Sequence, residues 1–380
     1  MGPARHLLFL FVVASLISFL GCNSVSQSAT TTTMAAPSAD AVTPLAAPAA
    51  AQLLYGSRGM QVWGARLQNR QVTGIGGVNW GNAAPAFSQG QLVDVAPDPK
   101  GRFVFALYQR YSSGINVLGI DSVAAFTIDR ASGSLTLVEG GPYPTAVFPT
   151  GMAIDPSGSF VYISANNSIQ VWSVDQQSGA LTQTGSVPAT GWRLWVTPDG
   201  GTLVHAGNGR VSTFAIDAAT GRLTPANSLA VLYADCITGS AAGRFLYTWI
   251  PGWMPNRGYA VLKLGDNRDL TLTKSVDLTN SPVLSISPSR DGKFAYFAGG
   301  PAPDSGSVTV FGLDPASGAP VKQVGAAITS AQPAFAALDF DGRTLYVSSD
   351  RWRAYAVNAD GTLAASSSSD GRLDFFRLAR

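Results

Sequence analysis

The alternation of apolar and polar residues is clearest over positions 151–186, GMAIDPSGSFVYISANNSIQVWSVDQQSGALTQTGS. Met152–Asp155 is a short apolar run. Pro156-Ser157-Gly158 ends it with residues that preset φ or tolerate positive φ. Phe160–Ala165 is β-branched and aromatic, and Asn166-Asn167 turns the chain again. Over Ile169–Val174 the side chains alternate, with Ile169, Val171 and Ser173 on one face and Gln170, Trp172 and Val174 on the other. Asp175 to Gly179 then leads into Ala180–Thr184. The pattern predicts four short strands joined by three turns.

The unit recurs. Its closing hairpin returns as AFTIDRASGSLTLV (Ala125–Val138) and TFAIDAATGRLTPA (Thr213–Ala226). Looser copies are VLKLGDNRDLTLT (Val261–Thr273), VFGLDPASGAPVKQ (Val310–Gln323) and AYAVNADGTLAAS (Ala354–Ser366). The marker residues Asp129, Asp175, Asp217, Asp266, Asp314 and Asn358 are 46, 42, 49, 48 and 44 residues apart. Four strands every 40–50 residues or so is the spacing of a propeller blade, which cannot bury both its faces alone. Val62-Trp63 supplies a seventh, earlier copy of the outer hairpin, but only six inner hairpins are found. Arg372–Leu378 is therefore expected to supply the inner strand of the first blade and close the ring. The predicted fold is all-β, a seven-bladed β-propeller of four-stranded antiparallel blades over residues 52–380.

Ahead of the propeller lie two other segments. Residues 1–22 read as a lipoprotein signal peptide: Arg5 is followed by the apolar run Leu7–Leu20, too short to span a bilayer. The run ends in Phe19-Leu20-Gly21-Cys22, which resembles a bacterial lipobox and implies that Cys22 is lipidated and becomes the mature N-terminus. Residues 23–51 are a Ser/Thr/Ala/Pro-rich tether with a flexible-chain reach of about 30 Å. The resemblance to lipoproteins of double-membraned bacteria implies sorting to the outer membrane, facing the periplasm, because position 23 is Asn rather than Asp. With Cys22 lipidated, Cys236 is expected as a lone buried thiol with no intramolecular disulfide. A net charge of +2 over so large a surface argues against a nucleic-acid partner, and the chain reads as a monomer.

Blade topology divides the loops between two faces. The D-x-x-[ST]-G hairpins share one face, and their Asp residues read as turn formers rather than a metal ring. The opposite face collects Trp80, Tyr108, Arg110, Tyr111, Trp192, Arg193, Trp195, Tyr233, Asp235, Trp249, Trp253, Arg257, Asp350, Arg351, Trp352 and Arg353. Six of the eight Trp lie there, and only Trp63 and Trp172 belong to the repeat. Aromatic and Arg-rich loops on a rigid scaffold are a usual location of recognition, so this face is the expected ligand-binding surface. Acid–base groups are scarce. His205 reads as a satisfied structural residue, and Glu139 lies far from the axis. Asp235, with Arg193 and Arg110, is the remaining set able to grip an anionic sugar lactone and orient water. No metal and no cofactor is expected.

With the repeats aligned, DPSGSFVYIS…IQVWSVDQQSGALT and PDGGTLVHAGNGRVSTFAIDAATGRLT resemble the lactonase family of seven-bladed propellers, which includes bacterial 6-phosphogluconolactonase. The resemblance implies this fold and hydrolysis of sugar lactones without a metal. Family members commonly place a His after the Pro entering an inner strand. The matching positions here read Pro149-Thr150, Pro282-Val283 and Pro333-Ala334, with Trp192-Arg193 in another blade. Residue inventory and address together favour a lipid-anchored binding or protein-interaction module, with a lactone hydrolase as the alternative.

Replacing Cys22 tests the address. Cys22→Ser is expected to move the protein from the membrane to the soluble envelope fraction, measured by fractionation; unchanged partitioning would remove the lipid anchor.

Overall fold

The computed structural model describes residues 52–58, 61–68, 70–79, 90–113, 116–118, 120–251, 257–278, 283–302, 305–329, 335–349, 351–369 and 375–379. The signal segment, Cys22 and the tether lie outside them.

Every described element is a strand, and the strands form seven antiparallel sheets. Blade 3 shows the pattern: Pro149–Ile154, Phe160–Ala165, Ser168–Val174 and Leu181–Pro188 pair in chain order from the axis outward. Blades 4 to 7 repeat it, opening with Arg193–Val196, Cys236–Gly239, Val283–Pro288 and Phe335–Leu338. Blade 2 opens with Gly90–Pro97, and two short extra strands, Asn116–Leu118 and Tyr143–Pro144, pair onto it. Blade 1 is built from both ends of the described chain. Gln52–Arg58, Gln61–Gln68 and Gln71–Asn79 are joined on the inside by Phe375–Ala379, with Leu53 opposite Ala379 and Ser57 opposite Phe375. The fold and the C-terminal closure are as the repeat predicts, the closing strand lying slightly further along the chain than expected.

The core is divided among the blade boundaries. Phe103, Phe105, Leu107 and Val123 of blade 2 pack on Met152, Val161, Ile163 and Trp172 of blade 3. Equivalent clusters join blades 1 and 2, 3 and 4, 4 and 5, 5 and 6, 6 and 7, and 7 and 1. Strands buried on both faces explain why their sequences read as nearly continuous apolar runs.

Cys236 differs from expectation. It is fully buried in the inner strand of blade 5 and is disulfide-bonded rather than a lone thiol. The only other cysteine in the sequence, Cys22, lies outside the described residues.

The outer hairpins carry a second tie between blades. Asp129, Asp175, Asp217 and Asp314 each serve their own turn: Asp175 Oδ1 accepts from the backbone of Gln177 at 3.0 Å and of Ser178 at 2.7 Å, and from Ser178 Oγ at 2.8 Å. The glycine that follows touches the preceding blade. Gly221 has a φ of 69°, and a Cβ there would lie 2.4 Å from the Phe160 ring. Gly318 stands in the same relation to Phe245, also at 2.4 Å. The two exceptions follow the partner. Where the facing strand begins with Thr202 or Thr344 instead of Phe, the left-handed turn residue is Arg268 (φ 67°) or Arg70 (φ 64°). Arg268 spans the boundary and donates to the Gly201 carbonyl at 3.2 Å.

Gly221→Ala is expected to cost about 2–4 kcal/mol, combining left-handed strain with a clash against a packed ring. Gly209→Ala has similar strain (φ 69°) but nothing within 4 Å of the new Cβ, so its cost should stay near 1 kcal/mol. Chemical denaturation of both variants checks the difference.

Candidate active site

The loop face is where inner strands begin and second strands end. The structure withdraws most of its predicted aromatic residues into the blade boundaries. Tyr108, Trp195, Tyr233, Trp249 and Trp352 are all buried. Trp195 of blade 4 lies flat against Gly239 of blade 5, where a Cβ would fall 2.2 Å from the indole. Trp249 of blade 5 donates through Nε1 to the Leu284 carbonyl of blade 6 at 3.2 Å. Trp352 joins Leu54 and Ala65 in the core between blades 7 and 1. Wedge-shaped boundaries consume large flat side chains, and that demand, rather than ligand recognition, accounts for these rings. Trp80, Trp253 and Asp350 lie outside the described residues, as does the side chain of Tyr111. Arg351 is exposed; Arg257 and Arg353 are half-buried, and Arg353 Nη1 donates to Ser349 Oγ.

Arg193 departs from the ligand-facing position expected of it. It is 2% exposed, and its Nη1 donates to the Thr150 carbonyl of blade 3 at 2.6 Å. This bond belongs to a buried polar seam between blades 3 and 4. Thr150 Oγ1 donates to the Trp192 carbonyl at 3.0 Å, and Ser164 Oγ donates to the Gly191 carbonyl at 3.1 Å. Ser164 Oγ is also 3.0 Å from Nε2 of His205. With the hydroxyl proton directed to Gly191, the His205 Nε2–H is the donor in that contact. His205 is fully buried, and its pKa is pushed down to about 4 by desolvation, so the ring is neutral at physiological pH. It is a structural histidine, as the sequence suggested. Thr150, Ser164 and Gly191 were not singled out in the sequence, where small polar residues of an inner or second strand carry no distinguishing signal.

Asp235 is half-buried just ahead of the inner strand of blade 5. Desolvation raises its pKa, and a hydrogen bond from the Trp192 side chain opposes part of that rise. A partly accessible carboxyl with an upward shift and an indole holding it in place is suited to taking a proton from water. In blade 2, Arg110 pairs with Asp121 (Nε to Oδ2 3.2 Å), whose Oδ1 accepts from the Arg110 backbone at 2.8 Å. The Arg110 guanidinium also lies 5.5 Å from the ring centroid of Phe148, which is 49% exposed. Arg110 thus stays accessible but oriented, and Asp121 and Phe148 are two site-face residues that sequence reasoning missed. A groove of about 660 Å³ lies elsewhere, between the outer parts of blades 3 and 4, lined by Phe160, Val187, Asp217 and Arg222 among others. It belongs to the side of the stereotyped hairpins. Among the described residues no group of three or more His, Cys, Asp or Glu is placed to hold a metal.

Residues 68–198 match the family model described as lactonase, 7-bladed beta-propeller. The lactonase-family resemblance holds. The 6-phosphogluconolactonase of Photorhabdus laumondii is 33% identical over 106 residues, covering 27% of this chain and 29% of the relative. That of Serratia proteamaculans is 32% identical over the same length and shares. The match therefore spans under a third of these curated relatives. Among solved structures, the periplasmic gluconolactonase of Pseudomonas aeruginosa superposes with a TM-score of 0.67 at 19% identity, covering 87% of this chain and 99% of that one. A protein from Lactobacillus plantarum gives 0.63 at 17% identity over the same shares. At such identities these two share the fold. The family match and the curated relatives overturn the primary expectation of a non-enzymatic binding or interaction module and favour the lactonase alternative. Among the described residues, burial of Tyr108, Trp195, Tyr233, Trp249 and Trp352 takes away much of the surface on which the binding reading rested.

The neutral His205 sets a pH dependence of stability. Unfolded histidine gains its proton below about pH 6.5, whereas His205 in the fold resists it down to about 4. The stabilisation is complete above pH 6.5 and is lost as pH falls through this window, by up to roughly 3 kcal/mol. His205→Gln, which cannot titrate, should show a shallower fall in melting temperature between pH 7 and 4.5. Equal slopes would mean that His205 is not held neutral.

Proposed function

We propose that this protein hydrolyses sugar lactones at the mouth formed by blades 2, 4 and 5, in the manner suggested by the name of its 6-phosphogluconolactonase relatives. The observation carrying the reading is the lactonase family match over residues 68–198. The upward-shifted, indole-held Asp235 supplies a base beside that stretch. In this mechanism ionised Asp235 takes a proton from water as the oxygen attacks the lactone carbonyl carbon. The bond from that carbon to the ring oxygen then breaks, and Asp235 returns the proton to the leaving oxygen. Net, one water is added and the open-chain hydroxy acid leaves. Arg110, steadied by Asp121 and Phe148, offers an accessible guanidinium to an anionic substituent. Arg193 organises the floor of the site through Thr150 instead of touching substrate.

We also infer export to the cell envelope with Cys22 lipidated. The apolar run before Cys22, the tether and the periplasmic setting of a gluconolactonase of the same fold support this. The intact mass of the mature chain is expected to include the lipid on Cys22, and a mass without it would remove the anchor.

Purified full-length protein is expected to hydrolyse glucono-δ-lactone or its 6-phosphate faster than the spontaneous rate. Asp235→Asn should lower kcat on the order of 10²-fold with little change in melting temperature. The rate should fall as pH drops through the Asp235 pKa, because only the carboxylate accepts the proton. No acceleration over the spontaneous reaction would overturn the lactonase reading.

A further inference from the structure

Two buried groups that the hydrolysis does not use, Ser164 and His205, lie directly behind the residue that holds Asp235. Gly191 and Trp192 form the entry to blade 4, and they are gripped from both sides. From blade 3, Ser164 Oγ donates to Gly191 O at 3.1 Å and Thr150 Oγ1 donates to Trp192 O at 3.0 Å. From blade 4 itself, the Trp192 amide donates to the Ala206 carbonyl at 2.8 Å. The His205 ring forms the wall behind: a Cβ on Gly191 would sit 2.8 Å from both Cε1 and Nε2. Gly207 closes the other side, where a Cβ would come within 2.5 Å of the Trp192 amide nitrogen and of its ring. The backbone carrying Trp192 therefore has one place to be, and its indole reaches across to Asp235 of blade 5.

We propose that Ser164 and His205 are positioning residues for the lactone site. By fixing the Gly191–Trp192 entry they aim the indole that hydrogen-bonds Asp235. The proposal rests on the assignment of Asp235 as the base. A hydrogen bond donated to a carboxylate favours its ionised form, so a loosened indole has a definite signature: the Asp235 pKa must rise. Breaking a merely structural contact would instead lower the amount of folded protein without moving the Asp235 pKa.

Ser164→Ala removes the donor to Gly191 and the partner of His205 while leaving the strand apolar and small. In the full-length protein it is expected to reduce kcat on the order of tenfold with KM little changed, since the base is displaced and not removed. The acidic limb of the rate profile should move to higher pH. Trp192→Phe keeps the ring but deletes the N–H and should give the same shift. The double variant should shift no further than either single one. If the wild-type chain has no lactonase activity, the assignment of Asp235 as base fails, and the positioning claim is read separately. The Trp192 indole N–H resonance, identified by its loss in Trp192→Phe, should follow Asp235 ionisation, and Ser164→Ala should raise its midpoint. An acidic limb and an indole midpoint both unchanged in Ser164→Ala would overturn the proposal.

Discussion

No blade of this protein owns a core. Each sheet is a thin four-stranded wedge whose two faces are completed by its neighbours, and the seven apolar clusters all straddle boundaries. Stability is therefore a property of the closed ring, and closure depends on pairing the described C-terminal strand with Gln52–Arg58. An open ring would expose one half of a boundary core and an unpaired inner edge together. The hairpin contacts follow from the same constraint. A Phe at the start of a second strand needs a neighbour without a Cβ, and the next blade meets it with glycine; a Thr there admits arginine instead. Residues more than 50 positions apart, such as Phe160 and Gly221, are matched because they share one boundary.

The same boundaries position the chemistry. The entry to blade 4 is fixed by Thr150 and Ser164 from blade 3, and its Trp192 reaches Asp235 of blade 5, so three blades determine one carboxyl environment. Burying Arg193, Ser164 and His205 without hydrogen bonds would cost several kcal/mol in such an apolar setting. The Ser164–His205 contact and the bonds to backbone carbonyls offset much of that cost, and they tie neighbouring wedges with directional contacts that apolar packing alone does not supply. Among the described residues of this face, Asp235, the Trp192 indole, Arg110 and Phe148 keep accessible surface, as do Arg257, Arg351 and Arg353.

A propeller of this kind carries no reaction in its architecture. The lactonase reading rests on sequence similarity over residues 68–198, which runs from the outer part of blade 1 into blade 4 and ends before Asp235. The part of the mouth formed by blade 5 is thus argued from the partial burial of Asp235 and its hydrogen bond from Trp192. The family match contributes the reaction class, and the local environment of Asp235 contributes the candidate base.

Periodicity alone determined the architecture here. Strand alternation, turn chemistry and a spacing of 42 to 49 residues between marker positions leave few folds other than a ring of seven blades. The turn role of the hairpin Asp residues was equally legible, because a carboxylate bonding its own turn is a local event. The placement of the Trp and Arg side chains was not. Trp195, Trp249 and Arg193 sit at loop-to-strand junctions where sequence order places them on the open face, yet each turns sideways into the adjoining blade. That choice depends on the width of a gap between two segments some 35 to 45 residues apart, on whether a glycine such as Gly239 leaves room, and on which carbonyl is in reach. Those are distances between blades, and only the closed ring sets them.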